Sequence, residues 1–237
     1  MSGTPCIVLA GGLGTRLRSA VPDLPKCLAP VGARSFLEVQ LAALAAQGFD
    51  RFVLSLGHMA DVVRQAVGHF RVDAAIDCIV EPQPLGTGGA ILHAMAESGL
   101  DEAAVVNGDT FIEAPLGAML PALATAAGER ARMAVVPVPD RARYGGVELH
   151  AGCVTAFVEK GRSGAGLINA GLYRVHLRAF EGFERGAAFS MESQVMSRLM
   201  AARALSAVQL DGQFIDIGVP EDYWRFCAQR GAAVDGR

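Results

Sequence analysis

Short apolar runs alternate with helix-like stretches along the first 140 residues of this 237-residue chain. Residues 6–10, 52–56, 76–80, 103–106 and 134–138 have the length and apolar character of buried strands. Helices between such strands favour an α/β fold, in which a mostly parallel sheet carries helices on both faces. Because ligands in sheets of this kind bind outside the carboxyl ends of the strands, we expect a site at that edge.

The clearest helix boundaries lie before the second strand. Ser35 and Glu38 have the spacing of a capping box, and Gly48 suits the end of the same helix. Further helices are predicted at residues 61–70, 88–96 and 116–127.

The pattern changes after about residue 141. Residues 145–149 and 153–159 predict a hairpin, and residues 168–175 predict a further strand. We expect this second part to form a smaller β subregion that faces a substrate.

A glycine-rich loop with basic residues follows the first apolar run. Gly11, Gly12 and Gly14 let backbone N–H groups approach an anion closely, because no Cβ intervenes. Arg16 and Lys26 can neutralise several phosphate oxygens beside that loop. The segment therefore predicts binding of a polyphosphate, in particular a nucleoside triphosphate.

Lysine is rare in this chain. Of the 21 basic residues only Lys26 and Lys160 are lysines, and arginine fills every other basic position. A lysine that persists in such a chain indicates a need for a compact, flexible ammonium, the alternative being two surface lysines retained by chance.

Two isolated acids are candidate metal ligands. Asp109 follows an apolar strand at its carboxyl edge, where a metal–phosphate complex would lie, the alternative being a simple turn residue. Asp216 stands within an apolar run, where a carboxylate is costly unless it is paired or metal-bound. Mg²⁺ takes few protein ligands and keeps water and phosphate oxygens for the rest, so two carboxylates would suit it.

Other candidates for ligand contact lie in later loops. Glycines in residues 85–90 would let a nucleobase or ribose lie on the backbone, or they form an ordinary helix start. Tyr144, Glu159 and Asn169 suit hydrogen bonds to sugar hydroxyls, and Lys160 suits an acceptor phosphate. Since neighbours on a strand point to opposite faces, Glu159 and Lys160 share a face only if the strand ends or bulges there.

Several polar residues are interpreted as structural. The histidines show no pairing with serine or cysteine that suggests nucleophilic catalysis. The residues expected to be structural or at the surface are His58, His69, His93, His150 and His176, together with a solvated turn of Asp140, Arg141 and Arg143.

Charge and cysteine content limit the partners and the compartment. The net charge of −3 and the lack of a basic stripe argue against nucleic acid. The five cysteines include no C-x-x-C pair, which indicates a reducing compartment without disulfides or zinc. With no signal peptide and no apolar run of 18 residues, we expect a cytoplasmic protein without a membrane span; homo-oligomerisation stays open.

Taken in order, the motifs resemble those of the sugar-1-phosphate nucleotidyltransferase family. The signature G-G-x-G-T-R-L…P-K matches residues 11–17 and 25–26, and the match continues through LGTGGA, NGD, YGG, EK, NAGLY and FIDIGVPEDY, from Pro5 to about Phe226. The resemblance implies a Rossmann-like three-layer sandwich with a mixed, mostly parallel central sheet and a small sugar-binding β subregion. It also implies one domain, with about residues 1–140 binding nucleotide and about 141–230 binding sugar phosphate.

The resemblance implies roles for particular residues. The nucleotide would be bound by Leu9, Ala10, Gly11, Gly12, Gly14, Thr15, Arg16, Lys26, Glu81, Gln83, Gly86, Thr87, Gly88, Asn107 and Gly108. The sugar phosphate would be bound by Tyr144, Gly145, Gly146, Glu159, Lys160, Asn169 and Ala170. Asp109 and Asp216 would hold Mg²⁺, and the catalytic residues would be Arg16, Lys26, Asp109 and Lys160.

The implied reaction joins an NTP and a sugar 1-phosphate to give an NDP-sugar and pyrophosphate. Within the family, the stretches EPQPLGTGGA and NGDTF resemble bacterial enzymes that make GDP-activated heptose for surface polysaccharide, so GTP and D-glycero-D-manno-heptose 1-phosphate are expected first. Mannose 1-phosphate with GTP, or a hexose 1-phosphate with UTP, dTTP or CTP, are the alternatives. A non-catalytic sugar-nucleotide-binding regulator should lack some of the charged positions, and a glycosyltransferase should carry a D-x-D motif, which is absent here.

Overall fold

The computed structural model describes residues 4–231, which form thirteen strands and five α-helices. The strands are β1 (Pro5–Leu9), β2 (Pro30–Val31), β3 (Arg34–Ser35), β4 (Arg51–Leu56), β5 (Ala75–Val80), β6 (Glu102–Asn107), β7 (Thr110–Glu113), β8 (Ala131–Val138), β9 (Gly146–His150), β10 (Cys153–Val158), β11 (Gly166–His176), β12 (Leu205–Gln209) and β13 (Gln213–Asp216). The α-helices are α1 (Phe36–Ala45), α2 (Ala60–Val67), α3 (Gly86–Ser98), α4 (Ser197–Ala201) and α5 (Pro220–Gly231). Shorter turns of 3₁₀-helix lie at Thr15–Leu17, Lys26–Leu28, Gly117–Met119, Thr125–Ala127 and Leu177–Phe180, and a π-helix spans Met191–Met196.

The central sheet has nine strands in the order β5, β4, β1, β6, β11, β8, β12, β10 and β9. Pairing is parallel from β5 to β6 and between β8 and β12, and antiparallel at the other neighbours. Seven of the nine strands therefore run in one direction, and β10 and β11 run in the other. The mixed, mostly parallel sheet predicted above is confirmed.

The helices cover both faces of this sheet. Along β1, Cys6 and Val8 belong to one buried cluster with α1, whereas Ile7 belongs to a second cluster with α3. Because side chains alternate across a strand, the two clusters lie on opposite faces and make a three-layer sandwich. A third cluster joins α5 to the segment between β1 and α1.

Helix α1 begins with half of the predicted capping box. The Ser35 side chain accepts a hydrogen bond from the Glu38 amide at 3.3 Å, while the Glu38 carboxylate accepts from the Arg71 amide instead. The helix ends at Ala45, and Gly48 follows with a φ of +99°.

The predicted helix at 116–127 is wrong. The structure has only the two 3₁₀ turns Gly117–Met119 and Thr125–Ala127 there. Pro121 lies between them; it has no N–H to donate within a helix, so the apolar spacing does not become a continuous helix.

The hairpin in the second half forms as predicted, from β9 and β10. Strand β10 ends at Val158, so Glu159 and Lys160 lie beyond its ladder, which is the condition for both to face one site. No helix within residues 4–231 is both long and apolar enough to cross a membrane. The prediction about a signal peptide depends partly on residues 1–3, which lie outside the described part of the chain.

Candidate active site

A cavity of about 780 Å³ opens at the carboxyl ends of β1, β4, β5 and β6. This is the edge at which parallel α/β sheets bind ligands. Its lining consists of Leu9, Ala10, Gly11, Gly12, Leu13, Gly14, Thr15, Arg16, Lys26, Cys27, Gly57, His58, Glu81, Gln83, Pro84, Gly86, Thr87, Ala90, Asn107, Gly108, Asp109 and Gly218. The structure thus brings together every predicted nucleotide-binding residue except Gly88.

Two cations and two carboxylates meet at one side of the cavity. The Lys26 ammonium donates to Asp109 Oδ2 at 2.5 Å. A Cβ built on Gly218 would lie 2.6 Å from Asp216 Oδ1, 3.0 Å from Lys26 Nζ and 3.2 Å from an Arg16 guanidinium nitrogen. Asp216, Lys26 and Arg16 therefore surround Gly218, and Asp109 joins this group through its ion pair with Lys26.

The small sheet of β7 and β13 brings the two acids together. Asp216 pairs with Thr110, and the amide of Ile217 donates to the Asp109 carbonyl at 2.9 Å. Burial raises the pKa of Asp216, the nearby Asp109 charge raises it further, and Lys26 and Arg16 partly oppose the shift. The convergence of these acids, which the sequence could not show, is present in the fold.

The glycines of residues 85–90 accommodate protein rather than a flat ligand. A Cβ on Gly88 would lie 2.4 Å from the Phe189 ring, and one on Gly89 would lie 2.4 Å from the Ala187 carbonyl oxygen. The amides of both glycines donate to the Phe189 carbonyl, at 2.9 and 3.3 Å, and so satisfy N–H groups at the start of α3. Gly88 therefore packs against Phe189 and does not line the cavity, and its contact with the nucleotide stays a prediction.

We call residues 186–192 the strap, because they run behind residues 83–89. Besides the Phe189 carbonyl, the strap offers the Gly186 carbonyl to the Gln83 side chain at 3.1 Å. Its Phe189 amide donates to the Leu85 carbonyl at 3.0 Å. The wall of the cavity formed by residues 83–89 is thus tied to the second half of the chain.

Glu81 presents a fixed carboxylate to the cavity. Its Oε2 accepts from the Leu85 amide at 3.0 Å, and Oε1 accepts from the Ser55 hydroxyl at 3.4 Å. A Cβ on Gly11 would lie 2.6 Å from Glu81 Oε1, so the carboxylate lies directly beside the glycine loop.

Asn169 lies where the second half of the chain meets the cavity. Its side-chain amide donates to the Tyr173 hydroxyl at 2.8 Å, and its carbonyl oxygen accepts from the Gly171 amide at 2.9 Å. The pairing of β11 with β8 shifts register between Asn169 and Tyr173. A Cβ on Gly171 would lie 2.7 Å from the side chain of Asn107, which lines the cavity, so Asn169 is linked to the lining through Gly171, although it does not line the cavity itself.

Like Asn169, the other predicted sugar-phosphate residues lie outside the cavity lining. Tyr144 packs edge-on against Phe214, with ring centroids 5.6 Å apart. Glu159 and Lys160 are exposed beyond β10, and a Cβ on Gly145 would lie 3.7 Å from Lys160 Cγ. Gly146 opens β9, and the side chain of Ala170 is fully buried, which leaves only its backbone for a ligand.

The turn at residues 140–143 was predicted to be solvated, and Asp140 and Arg143 are indeed exposed, but Arg141 is half-buried, which corrects its interpretation. The Arg141 side chain lies across Gly146 and Gly166, within 2.9 Å of a Cβ built on either glycine. Arg143 forms an ion pair with the buried carboxylate of Asp222 and lies over the ring of Tyr144.

The family model for nucleotidyl transferases matches residues 6–231. The chain belongs to the Nucleotidyl transferase family. D-glycero-alpha-D-manno-heptose 1-phosphate guanylyltransferase of Aneurinibacillus thermoaerophilus is 34% identical over 217 residues, or 92% of this chain and 94% of that protein. Mannose-1-phosphate guanylyltransferase 1 of Arabidopsis thaliana is also 34% identical over 92% of this chain, which corresponds to 62% of its own length.

Two solved structures are similar to this chain over nearly its whole length. HddC from Yersinia pseudotuberculosis superposes with a TM-score of 0.83 at 33% identity, covering 95% of this chain and 99% of that one. A second HddC structure, complexed with GMP-PN, has a TM-score of 0.81 with the same identity and coverage.

Sequence reasoning missed seven residues of this nucleotidyl transferase's cavity lining, which are Leu13, Cys27, Gly57, His58, Pro84, Ala90 and Gly218. Gly57 and His58 follow β4 at the edge of the sheet where the cavity lies, and His58 was interpreted as structural or at the surface. Gly218 follows Asp216 in the quoted motif FIDIGVPEDY. For Gly57, His58 and Gly218 the sequence offered one signal, because each follows within two positions the end of a strand that ends near the cavity.

Proposed function

We propose that the protein transfers a guanylyl group from GTP to a sugar 1-phosphate, with D-glycero-D-manno-heptose 1-phosphate as the first choice. The products would be GDP-heptose and pyrophosphate, for surface polysaccharide biosynthesis. The observation that carries this proposal is the meeting of Arg16, Lys26, Asp109 and Asp216 at the edge of a cavity large enough for a nucleotide. The guanylyltransferase relatives and the GMP-PN complex of HddC support the choice of donor.

The chemistry requires charge compensation rather than a strong base. An oxygen of the acceptor phosphate, already ionised, attacks the α-phosphorus of GTP, and the bond from that phosphorus to the oxygen bridging to the β-phosphate breaks. Pyrophosphate leaves with that electron pair. The barrier is the approach of two anions and their in-line alignment, so Lys26 and Arg16 act by neutralising and orienting phosphate oxygens.

Glu81 suits the recognition of guanine. The N1–H and N2–H₂ groups of guanine are donors on one edge, and a carboxylate accepts two such hydrogen bonds. The Leu85 amide and the Ser55 hydroxyl hold the Glu81 carboxylate in place, so it is oriented before the nucleotide arrives. Adenine lacks these donors, and the same contact would therefore select against ATP.

Asp109 and Asp216 are proposed to hold a divalent cation, Mg²⁺ being the first choice. Two carboxylates close enough for the charge of one to raise the pKa of the other form an oxygen-donor pair that suits this ion. When bound, the cation would supply charge neutralisation at the phosphates.

The two parts of the chain are proposed to divide the substrates between them. About residues 1–140 would bind GTP, and about 141–230 would bind the sugar phosphate through Tyr144, Gly146, Glu159, Lys160 and Asn169. The position of Gly171 beside Asn107 supports this division, because the Gly171 amide also donates to Asn169 and so links that residue to the cavity lining. The five free thiols support a reducing compartment, the cytoplasm in this proposal.

The test is a matrix of GTP, ATP, UTP, dTTP and CTP against heptose, mannose and glucose 1-phosphates, read by pyrophosphate release with Mg²⁺. We expect the highest kcat/KM with GTP and the heptose. Absence of turnover with every pair would contradict the enzyme, and turnover with UTP but not GTP would contradict the donor. Preference for mannose 1-phosphate would instead favour the second candidate, which the Arabidopsis relative supports.

A further inference from the structure

Thr87 lies on the cavity lining, but its hydroxyl is committed to the strap. The oxygen accepts from the Met191 amide at 2.9 Å, and its single proton is donated to Glu192 Oε2 at 2.8 Å. A threonine hydroxyl has one proton, so none remains for a hydrogen bond to a nucleotide. The hydroxyl of Thr87 therefore fixes the wall from behind.

Glu192 is itself held in one orientation. Its Oε2 also accepts from the Ser190 hydroxyl at 3.2 Å, and Ser190 caps the π-helix by accepting from the Ser193 amide at 3.1 Å. A carboxylate in the first turn of a helix is also favoured by the unsatisfied N–H groups at that end. The half-buried Glu192 side chain is thus a fixed anchor beneath the wall.

Backbone hydrogen bonds also join the strap to the wall next to Glu192. The Phe189 carbonyl receives the amides of Gly88 and Gly89, and the Phe189 amide returns a hydrogen bond to Leu85. These contacts are made by the backbone, so they do not depend on the side chains of Thr87 or Glu192. The contact between Thr87 and Glu192 is a charge-assisted side-chain bond, and such bonds are about twice as strong as neutral ones.

We propose that Glu192 is a positioning residue for the donor nucleotide. It acts through Thr87 to hold the wall, residues 83–89, against the bound base. The proposal rests on the proposed function, in which this cavity takes GTP. Glu192 is absent from the cavity lining, so any effect on GTP must pass through the wall. Loss of the anchor should weaken the donor side without changing how the sugar phosphate is bound.

The test measures GTP binding by calorimetry with Mg²⁺ and without acceptor. We expect Glu192→Ala to raise the Kd of GTP about tenfold, the loss of one hydrogen bond to a charged group. Glu192→Gln should stay within about threefold, because its amide oxygen still accepts the Thr87 proton. Glu184→Ala, the same substitution at an exposed site just before the strap, is the matched control and should leave the Kd unchanged.

A second variant tests whether Glu192 acts through Thr87. Thr87→Val removes the hydroxyl at nearly constant shape and should raise the Kd of GTP by a similar factor. The double variant should be no worse than either single one, and the KM of the sugar 1-phosphate should not change. If Glu192→Ala does not fold, Thr87→Val alone decides the question.

The outcomes distinguish failure of the proposed function from failure of the proposed role of Glu192. A wild-type protein that does not bind GTP would overturn the proposed function and this inference with it. Wild-type binding of GTP with an unchanged Kd in Glu192→Ala or Thr87→Val would overturn only the role of Glu192, and so would additive effects in the double variant.

Discussion

Lys26 and Asp109 touch across the edge of the cavity, so each screens the charge of the other before any ligand arrives. The triphosphate competes with Asp109 for the ammonium, and a divalent cation competes with Lys26 for the carboxylate. When both ligands bind together, every charge has a partner. If the triphosphate binds alone, Asp109 is left without one, and if the cation binds alone, Lys26 is left without one. We therefore expect the metal–nucleotide complex to bind better than either component.

Arg16 and Arg18 provide a matched pair of substitutions in one loop. Arg16 lines the cavity and Arg18 does not, although both side chains are exposed. Arg16→Ala should lower kcat/KM by roughly 10²- to 10³-fold, the usual cost of losing a charge-stabilising group. Arg18→Ala should stay within about twofold, and equal effects of the two substitutions in steady-state assays would contradict the assignment.

Asp216→Asn tests the proposed metal site. The amide keeps the shape but loses the charge, so the Mg²⁺ concentration for half-maximal activity should rise by roughly tenfold or more. Asp211→Asn, at an exposed acid preceding β13, is the control and should leave the Mg²⁺ titration unchanged. An unchanged titration for Asp216→Asn would remove this residue from the site.

At the residue scale the sequence was most informative where a polar side chain was out of place. An acid inside an apolar run marked Asp216, and a lysine in an arginine-rich chain marked Lys26. Gly218 carried no such signal, since only the meeting of β7 and β13 places it among the charged groups. Arg141 was interpreted as solvated because its packing on Gly146 and Gly166 depends on strands far apart in sequence.

The strap and the wall are far apart in sequence, but they pack directly against each other. The glycines of residues 85–90 suggested a ligand, but the structure places the backbone of Ala187 and Phe189 against them. A glycine pattern indicates only that another group approaches the backbone closely, and it does not identify that group as ligand or protein. The apolar spacing at 116–127 failed for a related reason, because one proline outweighs periodicity.

Gly89→Ala tests the close approach of the strap. The new Cβ would lie 2.4 Å from the Ala187 carbonyl oxygen, and a backbone atom cannot move aside as a flexible side chain can. We expect a loss of about 1–3 kcal/mol in the free energy of unfolding, measured by urea denaturation. Gly117→Ala, whose Cβ would meet nothing within 4 Å, should change little; equal stabilities of the two variants would contradict the packing role.

For the whole molecule, buried thiols predict how stability depends on pH. Burial raises the pKa of Cys6, and it raises that of Cys27 to about 12, from an ordinary value of 9.0. Above pH 9 the unfolded chain releases these protons while the folded chain keeps them. The free energy of unfolding should therefore fall as pH rises from 9, by up to about 1.4 kcal/mol per pH unit for each thiol.

The measurement is urea unfolding at pH 8, 9 and 10. Cys6→Ala and Cys27→Ala should each show a shallower decline than the wild type, whatever their stability at pH 8. A free energy of unfolding that stays constant from pH 8 to 10 would contradict the prediction.

At this scale the alternation of strands and helices was sufficient to predict an α/β sandwich and the edge that carries the cavity. The order of the strands was not predictable. Strand β11 pairs with β6 on one side and with β8 on the other, and both pairings join segments that are far apart in sequence. Local periodicity contains no information about such long-range pairing.

That position of β11 bears on how this protein can be recombined with its relatives. A gene chimaera joined near residue 140 would take β6 and β8 from one parent and β11 from the other, and would place a foreign strand in the centre of the sheet. Every side chain along β11 would then have to fit neighbours with which it did not evolve. Exchange of acceptor preference between homologues should therefore succeed with the β9–β10 hairpin alone, which contacts β11 through a single pairing of Val147 with Leu167, and fail with the whole second half.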